Sequence, residues 1–189
     1  HRNIIVDIYN EVGIGKNMLE CFTPDGIHRL IDIAQQTTRD GRRLPVGAST
    51  PGGKALPVGT WRELEDLHMP HGNGCRPGKL RAKLRALKAS PEFQSCPKPI
   101  LINEDTIYLD NLDVAVDEYA SWGFYCQGYG SDYADGTNWR ARGREQRFED
   151  LSGYQTVPVN WGINTTVKKA FFSRLAKITA HSGGGTPAA

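Results

Sequence analysis

Two short apolar runs, each closed by an asparagine and a glutamate, constrain the fold most. KPILINED, Lys98 to Asp105, passes from Pro99, Ile100, Leu101 and Ile102 into Asn103, Glu104 and Asp105, and NIIVDIYNE, Asn3 to Glu11, ends in Asn10 and Glu11. Runs this brief and rich in β-branched residues are too short for stable helices and read as buried strands. Ionisable groups at the polar end of a core strand lie on the rim of a sheet, where α/β folds build active sites. Two strands that each deliver a glutamate to such a rim predict paired carboxylate chemistry.

The rest of the chain alternates strands with helices. In the first strand, alternation puts Ile4, Val6, Ile8 and Asn10 on one face and Ile5, Asp7, Tyr9 and Glu11 on the other. A helix with Thr23 as N-cap and Pro24 in its first turn carries Ile27, Leu30, Ile31 and Ala34 on one face and is expected to end near Asp40 and Gly41. A second strand is expected over Leu44 to Ser49, a short helix over Trp61 to Asp66, and a third strand over Leu67 to Met69, with His68 and His71 near its exit. The pattern from Gly78 to Ala89 predicts a helix with Leu80, Leu84 and Leu87 on one face and Arg81, Lys83, Arg85 and Lys88 largely on the others, a solvated outer surface. After KPILINED, Asn111 or Asp113 is placed as the cap of a helix running to Tyr119, and Ser121 to Gly130 reads as the last strand. The polar stretch from Ser131 to Asn164, with Tyr133, Trp139, Tyr154 and Trp161, suits a binding loop. Val167, Phe171, Leu175 and Ile178 mark a final amphipathic helix, followed by a tail expected to be disordered.

Five strand–helix units predict a parallel sheet covered by helices. Five do not close a barrel, but three more upstream would make eight. The expected fold is therefore the C-terminal portion, about strands 4 to 8, of a (β/α)8 TIM barrel spanning residues 1–181, with a flexible tail over 182–189. A start at His1, with a core strand under way by Ile4, fits a missing N-terminal barrel segment in the full-length protein. Without that segment, the exposed sheet edges predict instability in isolation.

Composition excludes several classes. With 189 residues, 39% hydrophobic, 23% charged and a net charge of +2, the chain is neither disordered nor suited to a polyanionic partner. Nucleic acid is not favoured, and no apolar run approaches the roughly 20 residues that span a bilayer. Cys21, Cys75, Cys96 and Cys126 form no CxxC pair and read as free or buried thiols rather than a zinc or redox motif.

The paired Asn-Glu and Glu strand ends resemble the clan of retaining (β/α)8 glycoside hydrolases that includes cellulases, mannanases and β-galactosidases. The INED, ASWGFY and GYQTVPVNWGINT segments and the final KKAFF helix also resemble uncharacterised bacterial cellulase-like hydrolases. The resemblance implies Glu11 as acid/base and Glu104 as nucleophile, with carboxyl groups about 5 to 5.5 Å apart. It implies Asn10 on the sugar 2-hydroxyl, which needs a bulge or twist, because alternation points Asn10 away from Glu11. His68, His71, Trp122 and Tyr125 are the other expected substrate-binding residues, Trp122 as an apolar platform beneath a sugar ring. Carbohydrate is the expected partner, with no cofactor, and the function class points to a secreted or periplasmic protein.

Plainer readings stand beside these. A carboxylate at a strand end is usually solvated or a cap, Asp105 rivals Glu104, Asp7 suits a core polar network, and a loop histidine is usually just hydrogen-bonded. A catalytically silent carbohydrate-binding barrel is one alternative. A metal-dependent barrel hydrolase or isomerase, using the histidines with Glu11, Glu104 or Asp105, is another, although no HxH or HExxH spacing is present and no metal ligand is assigned.

Overall fold

The computed structural model describes residues 3–16, 18–106, 108–125 and 160–182. It is a mixed α/β protein with short strands and several helices. Two compact units partition the chain, one of His1–Asp105 with Asp110–Gly123, the other of Thr106–Leu109 with Phe124–Ala189.

The first unit follows the strand–helix alternation. Its elements are β1 (Val6–Asp7), α1 (His28–Gln36), β2 (Val46–Gly47), β3 (Ser49–Thr50), α2 (Gly59–Leu64), β4 (Met69–Pro70), α3 (Pro77–Lys88), α4 (Pro91–Ser95), β5 (Leu101–Ile102), α5 (Leu109–Asp117) and β6 (Ser121–Trp122). Every pairing between these strands is parallel: Val6 with Val46, Ser49 with Met69, and Leu101 with Ser121. A parallel bridge between His68 and Ile100 joins β4 to β5, so the ladder runs in sequence order.

The strands are shorter than the apolar runs. The expected strand over residues 3–11 reduces to Val6–Asp7, because the chain bends at Ile8 and Tyr9 and enters a turn at Asn10. The expected N-cap Thr23 instead closes a 3₁₀ turn over Glu20–Phe22. Helix α1 stops at Gln36 rather than near residue 40, since Thr37 is extended. Asp40 and Gly41, at φ 54° and 71°, then form a two-residue turn bridged by Arg39 and Arg42, the mirror-image turn that asks for Asp-Gly. Helix α4, capped by the Ser90 hydroxyl and opened by Pro91, was not expected.

Two apolar clusters form the helical layers. Ile27 at the N-cap of α1, Ile31 of α1 and Trp61 of α2 pack with Val46 and Ala48, joined by Val6 and Ile8 of the greasy strand face. Leu80, Leu84 and Leu87 of α3 pack with Ile100, Ile102, Val114 and Ala115. Inside the first layer lies a buried polar triad. Glu65 accepts hydrogen bonds from Trp61 Nε1 at 2.8 Å and the Ala48 N–H, and its other oxygen lies 2.6 Å from His68 Nδ1. Burial raises the Glu65 carboxyl, against the lowering pull of His68 and the other donors.

The sheet is strongly curled. Strands lie about 4.8 Å apart, so β1 and β5, three spacings apart in the ladder, would be separated by about 14 Å if it were flat. Yet Asn103 Nδ2 donates to Asp7 Oδ2 at 3.2 Å, a span two short side chains bridge only across a concave face. Asp7 also accepts the Ser49 N–H, in the polar network expected of it.

In the second unit, α6 (Thr166–Ser182) turns Phe171 inward with Val167, Leu175 and Ile178 partly covered. Phe171 stacks on Phe124 with ring centroids 4.8 Å apart. The buried Lys168 ammonium donates to the Asn160 and Gly162 carbonyls and to Asn164 Oδ1, tying down the turn before the helix. Tyr133, Trp139, Tyr154, Cys126 and residues 183–189 lie outside the described residues, whereas Cys21, Cys75 and Cys96 are free thiols.

Candidate functional site

Because the strands are parallel, their C-terminal ends share one rim, and the side chains just beyond β1, β4 and β5 meet there. Glu11 follows β1 in a left-handed conformation, φ 56°, which costs a non-glycine residue about 1–2 kcal/mol. Its N–H donates to Ser49 Oγ at 3.1 Å, which holds the turn in place. Strain of this kind persists where the surroundings over-determine it, and it gathers at functional sites.

His71 stands between the two glutamates. Its Nδ1 lies 3.1 Å from Glu11 Oε1 and 4.0 Å from Glu104 Oε2. One ligand-type atom from each of Glu11, His71 and Glu104 falls within 4.8 Å of the others, so the two carboxylates face each other at close range. Glu104 is fixed from its other side by Asn73, whose Nδ2 donates to Oε1 at 2.8 Å. The His71 ring is fully buried, and Nε2 has no hydrogen-bond partner among the described residues. The tautomer with its proton on Nδ1 donates to Glu11 and leaves only a lone pair at the buried Nε2, which costs less than an unpaired buried N–H. The side chains of Glu11 and Glu104 remain 24% and 16% exposed, open to an incoming molecule.

Behind this rim lies Asp105, fully buried, accepting from Asn111 Nδ2 and, at 2.6 Å, from Trp122 Nε1. Burial raises its carboxyl, partly offset by Trp122, Asn111 and the nearby Lys83. Asp105 is therefore a structural neighbour of Glu104 rather than its rival or a cap, and Asn111 is a buried helical residue rather than a cap. Gly72 makes room for it: a Cβ there would sit 2.4 Å from the Asp105 carboxyl carbon. Gly72→Ala is expected to lower stability by about 1–3 kcal/mol in urea unfolding, the usual cost of overpacking.

Lys83 is the surprise of α3. It is 5% exposed rather than on a solvated face, and its ammonium donates to the carbonyls of His71, at 2.7 Å, and Pro51, at 3.2 Å, bracing two strand ends. Desolvation lowers its pKa from 10.5 to about 8. A lysine whose folded pKa is depressed binds fewer protons folded than unfolded, so stability rises with pH between about 8 and 10.5. Lys83→Met is expected to remove that rise, read as the difference between wild-type and variant unfolding free energies across this window.

Of the residues expected in the site, Glu11, Glu104 and His71 converge. Asn10 is exposed on the turn, and no hydrogen bond joins its side chain to the glutamates among the described contacts. His68 is not at the rim: strand alternation turns it outward into the helical layer, where it pairs with Glu65 and faces Phe93. Trp122 is half-buried, packed on the α3 and α5 cluster, and its indole N–H donates to Asp105, which fixes the orientation of the ring. Tyr125 belongs to the second unit, where its N–H donates to the Thr106 carbonyl. Ser49, Asn73 and Lys83 were not anticipated. Asn73 sits two residues beyond His71, and Lys83 lies three residues after Leu80 and four before Leu87, flanking the buried stripe, so both had a signal. Compared with known proteins, the chain matches no family model, no curated protein and no solved structure.

Proposed function

We propose that this protein is a retaining glycoside hydrolase of the (β/α)8 type, its strands corresponding to about the fourth to eighth of such a barrel. One observation carries the reading: Glu11 and Glu104 project from the ends of different parallel strands with one oxygen of each within 4.8 Å of the other, in keeping with the short carboxyl separation of about 5–5.5 Å of a retaining pair. The sequential parallel order and curl of the sheet support the barrel assignment.

The chemistry follows from the contacts. Asn73 holds Glu104 Oε1, leaving Oε2 to attack the anomeric carbon while the glycosidic oxygen departs with a proton from Glu11. Glu11, now a carboxylate held by His71 Nδ1–H, then takes a proton from water. The water oxygen bonds the anomeric carbon, and Glu104 is released. His71 and Asn73 position the two carboxylates.

The test is trapping. A panel of activated 2-deoxy-2-fluoro glycosides should inactivate the protein and leave one sugar on the peptide containing Glu104, detected by mass spectrometry. Saccharide binding without labelling or turnover would favour the silent carbohydrate-binding alternative.

A second reading has its own observation, since Glu11, His71 and Glu104 also form a candidate metal triad. Metal bonds of about 2.0–2.2 Å place neighbouring ligand atoms about 3.0–3.5 Å apart. His71 Nδ1 to Glu11 meets this at 3.1 Å, but the 4.0 Å separation from Glu104 requires contraction, which favours the glycosidase reading. Turnover that vanishes on chelation and returns with a divalent ion would reverse this preference.

A further inference from the structure

A cavity lies against one face of α3 and the loop after β3. It measures about 400 Å³, within the range of small-molecule sites. Lys79, Ala82, Lys83 and Ala86 fall at helical spacing along one face of α3, and Leu56 and Lys54 lie across from them. The two alanines leave room where larger side chains would fill it.

Two features point to the occupant. Among the described residues, every charged residue lining the cavity is a lysine: Lys54 and Lys79 are exposed, and Lys83 is buried. Buried charges are normally paired, yet among the described residues Lys83 donates only to two carbonyls, which leaves one of its three N–H groups unassigned, and Asp105 and Glu11 act on it only from beyond ion-pairing distance. The remaining wall is mostly apolar, contributed by Leu56, Ala82 and Ala86 with Cys75 and two glycines. A fully hydrated phosphate would gain little from such a wall, whereas an anion carrying a hydrocarbon body would use both parts.

We propose that this cavity binds a small amphipathic carboxylate, its head group facing the lysines and its apolar body lying along Leu56, Ala82 and Ala86. The inference is independent of how Glu11 and Glu104 are used, because its readout is binding alone.

Isothermal titration of the full chain with octanoate tests it, with octanol and acetate as controls for charge and tail. Saturable octanoate binding is expected at millimolar concentrations or below, with octanol and acetate each much weaker. Lys83→Met should weaken octanoate at least about tenfold, the loss of one charge-assisted hydrogen bond. Ala86→Phe, at an exposed position, should block the cavity without disturbing the core, and it decides the matter if Lys83→Met fails to fold. No octanoate binding, equal binding of octanol, or octanoate affinity unchanged in Ala86→Phe would overturn the proposal.

Discussion

Glu104→Gln is expected to reduce turnover by at least about 10³-fold while leaving saccharide affinity largely intact, because the amide keeps the shape and the contact near Asn73 but lacks a nucleophilic oxygen. Glu11→Ala should separate the two roles. With a poor leaving group its turnover should fall about 10²- to 10⁴-fold, the usual weight of general acid catalysis. With a nitrophenyl leaving group, which departs without protonation, the first step should survive and the glycosyl ester on Glu104 should accumulate. Added azide should then displace that ester without help from a base and yield a glycosyl azide of retained configuration, identified by NMR. Inverted product, or full activity in Glu104→Gln, would sink the assignment. Activity lost in both variants with no azide rescue in Glu11→Ala would leave no basis for Glu11 as the acid/base.

The largest expected effect on stability lies away from the rim. Glu65→Leu should cost about 3–5 kcal/mol in urea unfolding, with an unchanged denaturant slope. The carboxylate is fully buried and satisfies three donors at once, the Trp61 indole, the His68 ring and the Ala48 backbone, and leucine leaves them unpaired. Against a typical total stability of about 5–15 kcal/mol, this is a large share. A loss below about 1 kcal/mol would mean that the triad is solvated rather than buried, because exposed pairs contribute no more than that.

The alternation of strands and helices was legible because it rests on local chemistry. Short β-branched runs such as Ile100 to Ile102 cannot hold a helix, and the leucines at 80, 84 and 87 can face a core from no other period. The same pattern put Glu11 and Glu104 at strand ends, and parallel pairing brought those ends to one rim. His71 was named among the binding residues by its nearness to a strand exit, and it does join them. His68 was named for the same reason and does not. The two histidines are three residues apart, and strand alternation sends them to opposite sides of the sheet. The local pattern does not fix the exit of β4 to the residue, and so does not decide which one faces inward.

What the amino-acid sequence determined by itself was the order of elements and the chemistry available at each strand end, since hydrophobic period and turn residues act over a few neighbours. Only the tertiary structure decided how those ends meet. The curl that brings β1 within reach of β5, the left-handed backbone at Glu11, the burial of Lys83 beside the His71 carbonyl and the Glu65–His68 pair all depend on contacts between residues distant in the chain. Such contacts form when a sheet and its helical layer close on one another, and they leave no periodic trace in the sequence.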